Sequence, residues 1–154
     1  MVMSHLTSAV VAVIGDDAGR VLLCQQSSGH RLWQLPGGRI RRDESPAHAV
    51  CRDVLAETGL RIEVTDLVGL YELTGNTCGE DVPDVVMHAF RAAVAHGEAL
   101  VNEPGRISRA TWYDPGELPE PMTATARAAL ADAAAGRSGV VRAVRRDPAR
   151  SVAV

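Results

Sequence analysis

Residues 37–60 read Gly37-Gly38-Arg39-Ile40-Arg41-Arg42-Asp43-Glu44-Ser45-Pro46-Ala47-His48-Ala49-Val50-Cys51-Arg52-Asp53-Val54-Leu55-Ala56-Glu57-Thr58-Gly59-Leu60. Two signals in this stretch bound a helix. Ser45 can cap the first turn with its hydroxyl, and Pro46 suits the first helical position, where a missing N–H costs nothing. Gly59 supplies the stop. The spacing predicts a helix of roughly three and a half turns between them. At about 100° per residue, with Asp53 set at zero, Glu57 falls at about +40°, Ala56 at about −60° and Arg52 at about −100°. Val50, Val54, Ala47, Thr58, Cys51 and Leu55 fall between roughly 60° and 200°. One face is therefore largely apolar and the other carries Asp53, Glu57 and Arg52. Two acids four residues apart repel each other unless a cation sits between them. On the helix alone, acids that simply meet water are the plainer expectation.

Working outward, Ala9 to Ile14 and Val21 to Gln26 are apolar runs on either side of Gly15-Asp16-Asp17-Ala18-Gly19, which predicts a hairpin. Leu6 to Ile14 is too short to span a bilayer and lacks the basic leader and cleavage site of a signal peptide, so it reads as a strand. Leu32 to Leu35 predicts a short strand. Pro36-Gly37-Gly38 should stop it, with a backbone free to fold tightly around a ligand. Downstream, Ile62 to Leu70 and Val85 to Ala93 read as strands separated by a polar, acidic loop from Thr74 to Asp84. Ala110 to Tyr113 is a further short strand, Thr123 to Ala135 is helix-prone, and Val140-Val141 could form a last short strand. Mixed strands with two helices and no βαβ rhythm point to an α+β chain or an α/β/α sandwich.

Composition fits one soluble domain: 154 residues, 46% hydrophobic and 23% charged. The three cysteines, Cys24, Cys51 and Cys78, have no paired spacing, so reduced thiols and a cytoplasmic location are expected rather than a disulfide framework or a metal finger. All sixteen basic side chains are arginine. Five of them lie in residues 137–154, which reads as a basic C-terminal tail attached to a domain of residues 1–136. The body in front is acidic. Nucleic acid is therefore not the expected main partner, since phosphate neutralisation needs a basic surface. No membrane partner is expected, and the tail should lie against the acidic body or against a second subunit of a homodimer. Contact of the tail with nucleic acid or an acidic partner is the weaker alternative.

The helix and the loop before it together resemble the Nudix box: Gly, five residues, Glu, seven residues, Arg-Glu, an aliphatic, any residue, Glu-Glu, any residue, Gly, an aliphatic. Gly38, Glu44, Arg52, Val54, Glu57, Gly59 and Leu60 match at the right spacing, and Leu35-Pro36-Gly37 looks like the usual lead-in. The resemblance implies a Nudix α/β/α sandwich, with a mixed sheet, the box helix on one side and a C-terminal helix. It implies hydrolysis of a pyrophosphate bond in a nucleotide or nucleotide-sugar, with Mg²⁺ or Mn²⁺ screening the phosphates. By carry-over, Glu57 and Asp53 would ligate metal with help from the Gly38 carbonyl, and Glu44 with Arg52 would brace loop and helix. Two positions depart from the pattern. Asp53 stands where the family has Glu, and Ala56 stands where it has the first Glu of the pair. Glu80, Asp81 or Asp84 could replace the missing acid, and a chain without replacement would be a catalytically impaired ligand-binding or regulatory module. Trp33 is a candidate to stack a base or shield the site, with core packing an equal reading beside it, and Arg31 and Arg39 are candidates for phosphate contact, with a solvated surface the plainer expectation for each. His30, His48 and His88 lack ligand spacing and are not expected to bind metal.

Overall fold

The computed structural model describes residues 6–74 and 84–145. Strand β1 (Leu6–Gly15) decides the architecture, because Ala9-Val10-Val11-Ala12-Val13-Ile14 is buried throughout. A strand that is apolar on both faces needs cover on both. Val10, Ala12 and Ile14 pack with Ala49, Val50 and Val54 of helix α1 (Pro46–Thr58). Val11 and Val13 pack on the opposite face with Ala126, Ala129 and Leu130 of helix α2 (Ala124–Ala134). The result is a helix–sheet–helix sandwich.

Around β1 the sheet is mixed. Strand β6 (Asp84–His96) runs parallel to it over its whole length, β5 (Arg61–Thr74) lies antiparallel to β6, and β8 (Val140–Arg145) forms the edge, parallel to β5. On the other side come β2 (Val21–Gln26) and β3 (Trp33–Gln34), with β4 (Gly37–Arg39) paired to β1 and β7 (Ile107–Tyr113) paired to β2.

Three expectations change. The hairpin of β1 and β2 is joined only at its turn, Gly15↔Val21. Away from the turn β4 pairs with Ala9–Val11 of β1, and β2 pairs along its length with β7. Gly37-Gly38 lies in a strand paired antiparallel to β1, with Val11↔Gly37 and Val10↔Gly38 in register, so its close backbone approach is to β1. A Cβ at Gly37 would run into the Val10 carbonyl, so the approach needs glycine. The basic segment does not leave the domain at residue 136. Val140–Arg145 is the edge strand of the same sheet, and residues 146–154 lie outside the described residues.

One buried acid fastens that edge. Asp132 accepts from the Tyr71 hydroxyl at 2.8 Å, from Arg142 Nε and Nη2 at 2.7 Å each, and from Arg137 Nη1 at 2.9 Å. The Arg142 bonds, with those of Tyr71 and Arg137, hold the Asp132 carboxyl well below the usual range despite its burial. Removing it strands the fully buried Tyr71 hydroxyl without its partner. Asp132→Ala should therefore destabilise the fold by roughly 2 kcal/mol, a Tm drop of about 4–8 °C by calorimetry. A change within about 1 °C would mean that the arginines carry no part of the edge's stability.

Candidate active site

The box helix is set in place locally. Ser45 accepts from the His48 N–H at 3.1 Å, and Gly59 closes the helix at φ +77°, a left-handed conformation that favours glycine. In front of the helix, Arg52 grips Glu44 with two bonds, Nε to Oε2 at 2.7 Å and Nη2 to Oε1 at 2.9 Å. The Arg41 N–H also reaches Glu44, at 2.9 Å, and Arg52 Nη2 donates to the Arg39 carbonyl at 3.2 Å. The Arg52 guanidinium, with the Arg41 N–H, holds the Glu44 carboxyl down to about 2. This clip ties the loop to the helix.

The face carrying Asp53 and Glu57 does not meet water. Both are buried, Glu57 completely, while Ala47 of the expected apolar face and Ala56 are exposed. The face is pressed against the glycine strand: a Cβ at Gly38 would overlap the Asp53 carboxylate. Burying two acids would be costly without a counter-charge. Arg106, just ahead of β7, supplies it. Its Nη2 lies 3.1 Å from Glu57 Oε2, its two terminal nitrogens lie 3.4 Å from the Asp53 oxygens, and Nη2 donates to the Gly37 carbonyl at 3.0 Å. Yet both carboxylate oxygens of Glu57 lack a hydrogen bond, so the guanidinium faces Glu57 at ion-pair range without aligning an N–H. Burial pushes the Glu57 carboxyl up to about 7, with Arg106 pulling against it and Asp53 adding to it. Burial, with the adjacent Glu57 charge and a weak thiol contact to it, also pushes the Cys24 thiol upward.

A cavity of about 460 Å³ opens beside this cluster, between the sheet and the start of α2. Arg106, Gly37 and Gly38 line it beside the acids, and the rest is mostly apolar, including Leu35, Met87 and Met122, with His30, Gln34, Thr123 and Thr125 as polar points.

The structure thus brings Gly38, Glu44, Arg52, Asp53 and Glu57 together. It does not bring the three substrate candidates to them. Trp33 is 5% exposed and packs edge-on against Tyr113 in the core, with ring centroids 5.2 Å apart. Arg31 and Arg39 are exposed and do not line the cavity. Glu80 and Asp81 lie outside the described residues, and Asp84 marks only the start of β6. Among the described residues no three His, Cys, Asp or Glu side chains form a metal-holding group. Sequence reading missed Arg106. Its signal would have been indirect: two acids on a packed helix face require a nearby cation.

The layered mixed sheet with a box helix is the Nudix fold, and the comparisons with known proteins agree. The family model of the NUDIX domain matches residues 5–133. A MutT-like protein of Streptomyces ambofaciens is 34% identical over 139 residues, covering 90% of this chain and 82% of its own length. A CTP pyrophosphohydrolase of Escherichia coli is 29% identical over 113 residues, covering 70% of this chain and 76% of its own. The crystal structure of a MutT NUDIX hydrolase from Burkholderia pseudomallei superposes with a TM-score of 0.76 at 29% identity, covering 83% of this chain and 98% of that one. The chain belongs to the Nudix hydrolase superfamily and is an enzyme of that type. No described helix is long and apolar enough to cross a membrane.

The buried Glu57 has a consequence for stability. Between about pH 4.5 and about 7 the folded chain holds a proton on Glu57 that the unfolded chain releases. Its contribution to stability is therefore fully present below this window and falls as pH rises through it. In metal-free urea unfolding, Glu57→Gln should flatten the decline of stability across that range. An unchanged pH slope would mean that Glu57 is ionised in the folded protein throughout.

Proposed function

We propose that the chain hydrolyses a pyrophosphate bond in a nucleoside-diphosphate-linked substrate, with Mg²⁺ or Mn²⁺ held by Asp53 and Glu57. The observation that carries this reading is the convergence of two buried carboxylates, one with no hydrogen bond to either oxygen, on a single cationic point. Glycine backbone flanks that point, and the Gly38 carbonyl is the added ligand the family resemblance implies. Hard oxygen donors of this kind suit Mg²⁺ or Mn²⁺. A bound divalent cation would screen the phosphates and make phosphorus more open to attack.

The chain's own residues supply the rest. The apolar part of the cavity takes the base or sugar, and its Arg106 end takes the charged phosphates. The Glu44–Arg52 clip keeps the helix from shifting under the ligands. A carboxylate oxygen of the pair orients water and accepts its proton. The water oxygen bonds to phosphorus as the bridging P–O bond breaks, releasing a nucleoside monophosphate and the second phosphate-bearing product. Ala56 supplies neither ligand nor charge, so the site is attenuated relative to the family pattern. A ligand-binding module without turnover remains a second reading, favoured by the guanidinium that already neutralises the acids.

The test is phosphate release from a panel of nucleoside triphosphates, dinucleoside polyphosphates and nucleotide sugars, with Mg²⁺ or Mn²⁺. Turnover is expected on part of the panel, and Glu57→Gln should lower it by roughly 10²–10³-fold, the usual loss of one catalytic polar group. Ala56→Glu places a carboxylate at an exposed position of the same helix. It should raise turnover or lower the metal concentration required. Tight nucleotide binding with no release by parent or Ala56→Glu would replace hydrolysis with the binding-module reading.

A further inference from the structure

Arg106 stands where the acid pair meets the cavity, and its attachments are uneven. Its side chain is 43% exposed although Asp53 and Glu57 are buried, so the guanidinium reaches in from solvent and can leave without unfolding the helix. The contacts inward are loose, at 3.4 Å to each Asp53 oxygen and 3.1 Å to Glu57 without hydrogen-bond alignment. The firmer ones are to the Gly37 carbonyl at 3.0 Å and outward to the half-buried Glu103 at 2.9 Å. A guanidinium also suits phosphate, which it can grip with two parallel N–H bonds. A single positive charge shared between two acids has little left for a phosphate.

We propose that Arg106 is a movable counter-ion: it neutralises Asp53 and Glu57 until a divalent cation displaces it, and then pairs with a substrate phosphate in the adjoining cavity. The phosphate half of this inference rests on the proposed hydrolytic reading. Metal and phosphate are thereby coupled. Phosphate that draws Arg106 away makes metal binding easier, and metal that expels Arg106 makes phosphate binding easier by the same factor. Removing the guanidinium should strengthen metal binding on its own and weaken the coupling. A merely structural arginine would do neither.

The experiment is calorimetric titration of metal-free protein with Mn²⁺, alone and with saturating methylenediphosphonate, a diphosphate analogue whose P–C–P bridge cannot be hydrolysed. Arg106→Gln should bind Mn²⁺ alone at least about tenfold tighter than the parent. The diphosphonate should enhance Mn²⁺ affinity at least about fivefold more in the parent than in the variant, which also removes any contribution of Mn²⁺–diphosphonate pairing in solution. Arg106→Lys, with a compact charge that cannot span both acids, should bind Mn²⁺ with intermediate affinity. Equal or weaker Mn²⁺ affinity in Arg106→Gln would overturn the counter-ion. Equal enhancement by diphosphonate in parent and variant would overturn the phosphate hand-over. Should Arg106→Gln fail to fold, Arg106→Lys decides, and Mn²⁺ affinity no higher than the parent's overturns the proposal. None of these titrations needs turnover, so an inactive parent would sink the hydrolytic reading without deciding this one.

Discussion

Two carboxylates held in the core against a single guanidinium form the constraint to which the rest of this fold answers. Taking an ion out of water costs several kcal/mol even after relaxation, while each buried valine returns about 1.5–3 kcal/mol. Val50 and Val54 can therefore anchor α1 against β1, but they cannot also cover two unpaired acids on the neighbouring face. Arg106 supplies the compensating charge from a segment 53 residues downstream of Asp53. It does so loosely, leaving Glu57 with an ion pair but no hydrogen bond. Buried carboxylate oxygens are ordinarily hydrogen-bonded, and Glu57 departs from that pattern.

Several features that look independent serve this one arrangement. The glycine pair lets β4 lie against β1 and lets Asp53 lie against the backbone. The Glu44–Arg52 clip sets the angle at which α1 presents its acids, and Ser45 and Gly59 fix where the helix begins and ends. β1, buried on both faces, is the rigid floor. On the far side, the Asp132 cluster holds α2 and β8 together, and α2 lines the cavity that adjoins the acids. Helix α1 and strand β4 thus carry Asp53, Glu57 and the glycines, while Glu44 sits in the loop between them and Arg106 on the short segment before β7.

Most of the architecture was legible because it is written in local patterns. The cap at Ser45, the stop at Gly59, the apolar run of β1 and the box spacing each predict their element without reference to distant residues. The strand at Gly37–Arg39 was not legible, since two glycines say only that backbone can come close, not whether to a ligand or to β1. β8 was half legible: Val140-Val141 signalled a strand, but the arginines around it read as a tail because Asp132, their buried partner, sits in another element. The burial of Asp53 and Glu57 depended on what lay above the helix face, which the wheel does not contain. Arg106 was hidden among sixteen arginines for the same reason. Trp33 was legible only as two alternatives, stacking or core packing, because the choice depends on Tyr113, which the local sequence does not contain and against which the ring packs.

The most direct measurement is anomalous diffraction at the manganese edge from crystals of the full chain soaked in Mn²⁺. The expected map has a peak at the carboxylates of Asp53 and Glu57, with the Arg106 guanidinium withdrawn from them. A peak elsewhere, or a guanidinium still seated against the two acids at saturating Mn²⁺, would contradict the claim that this buried pair is the metal site.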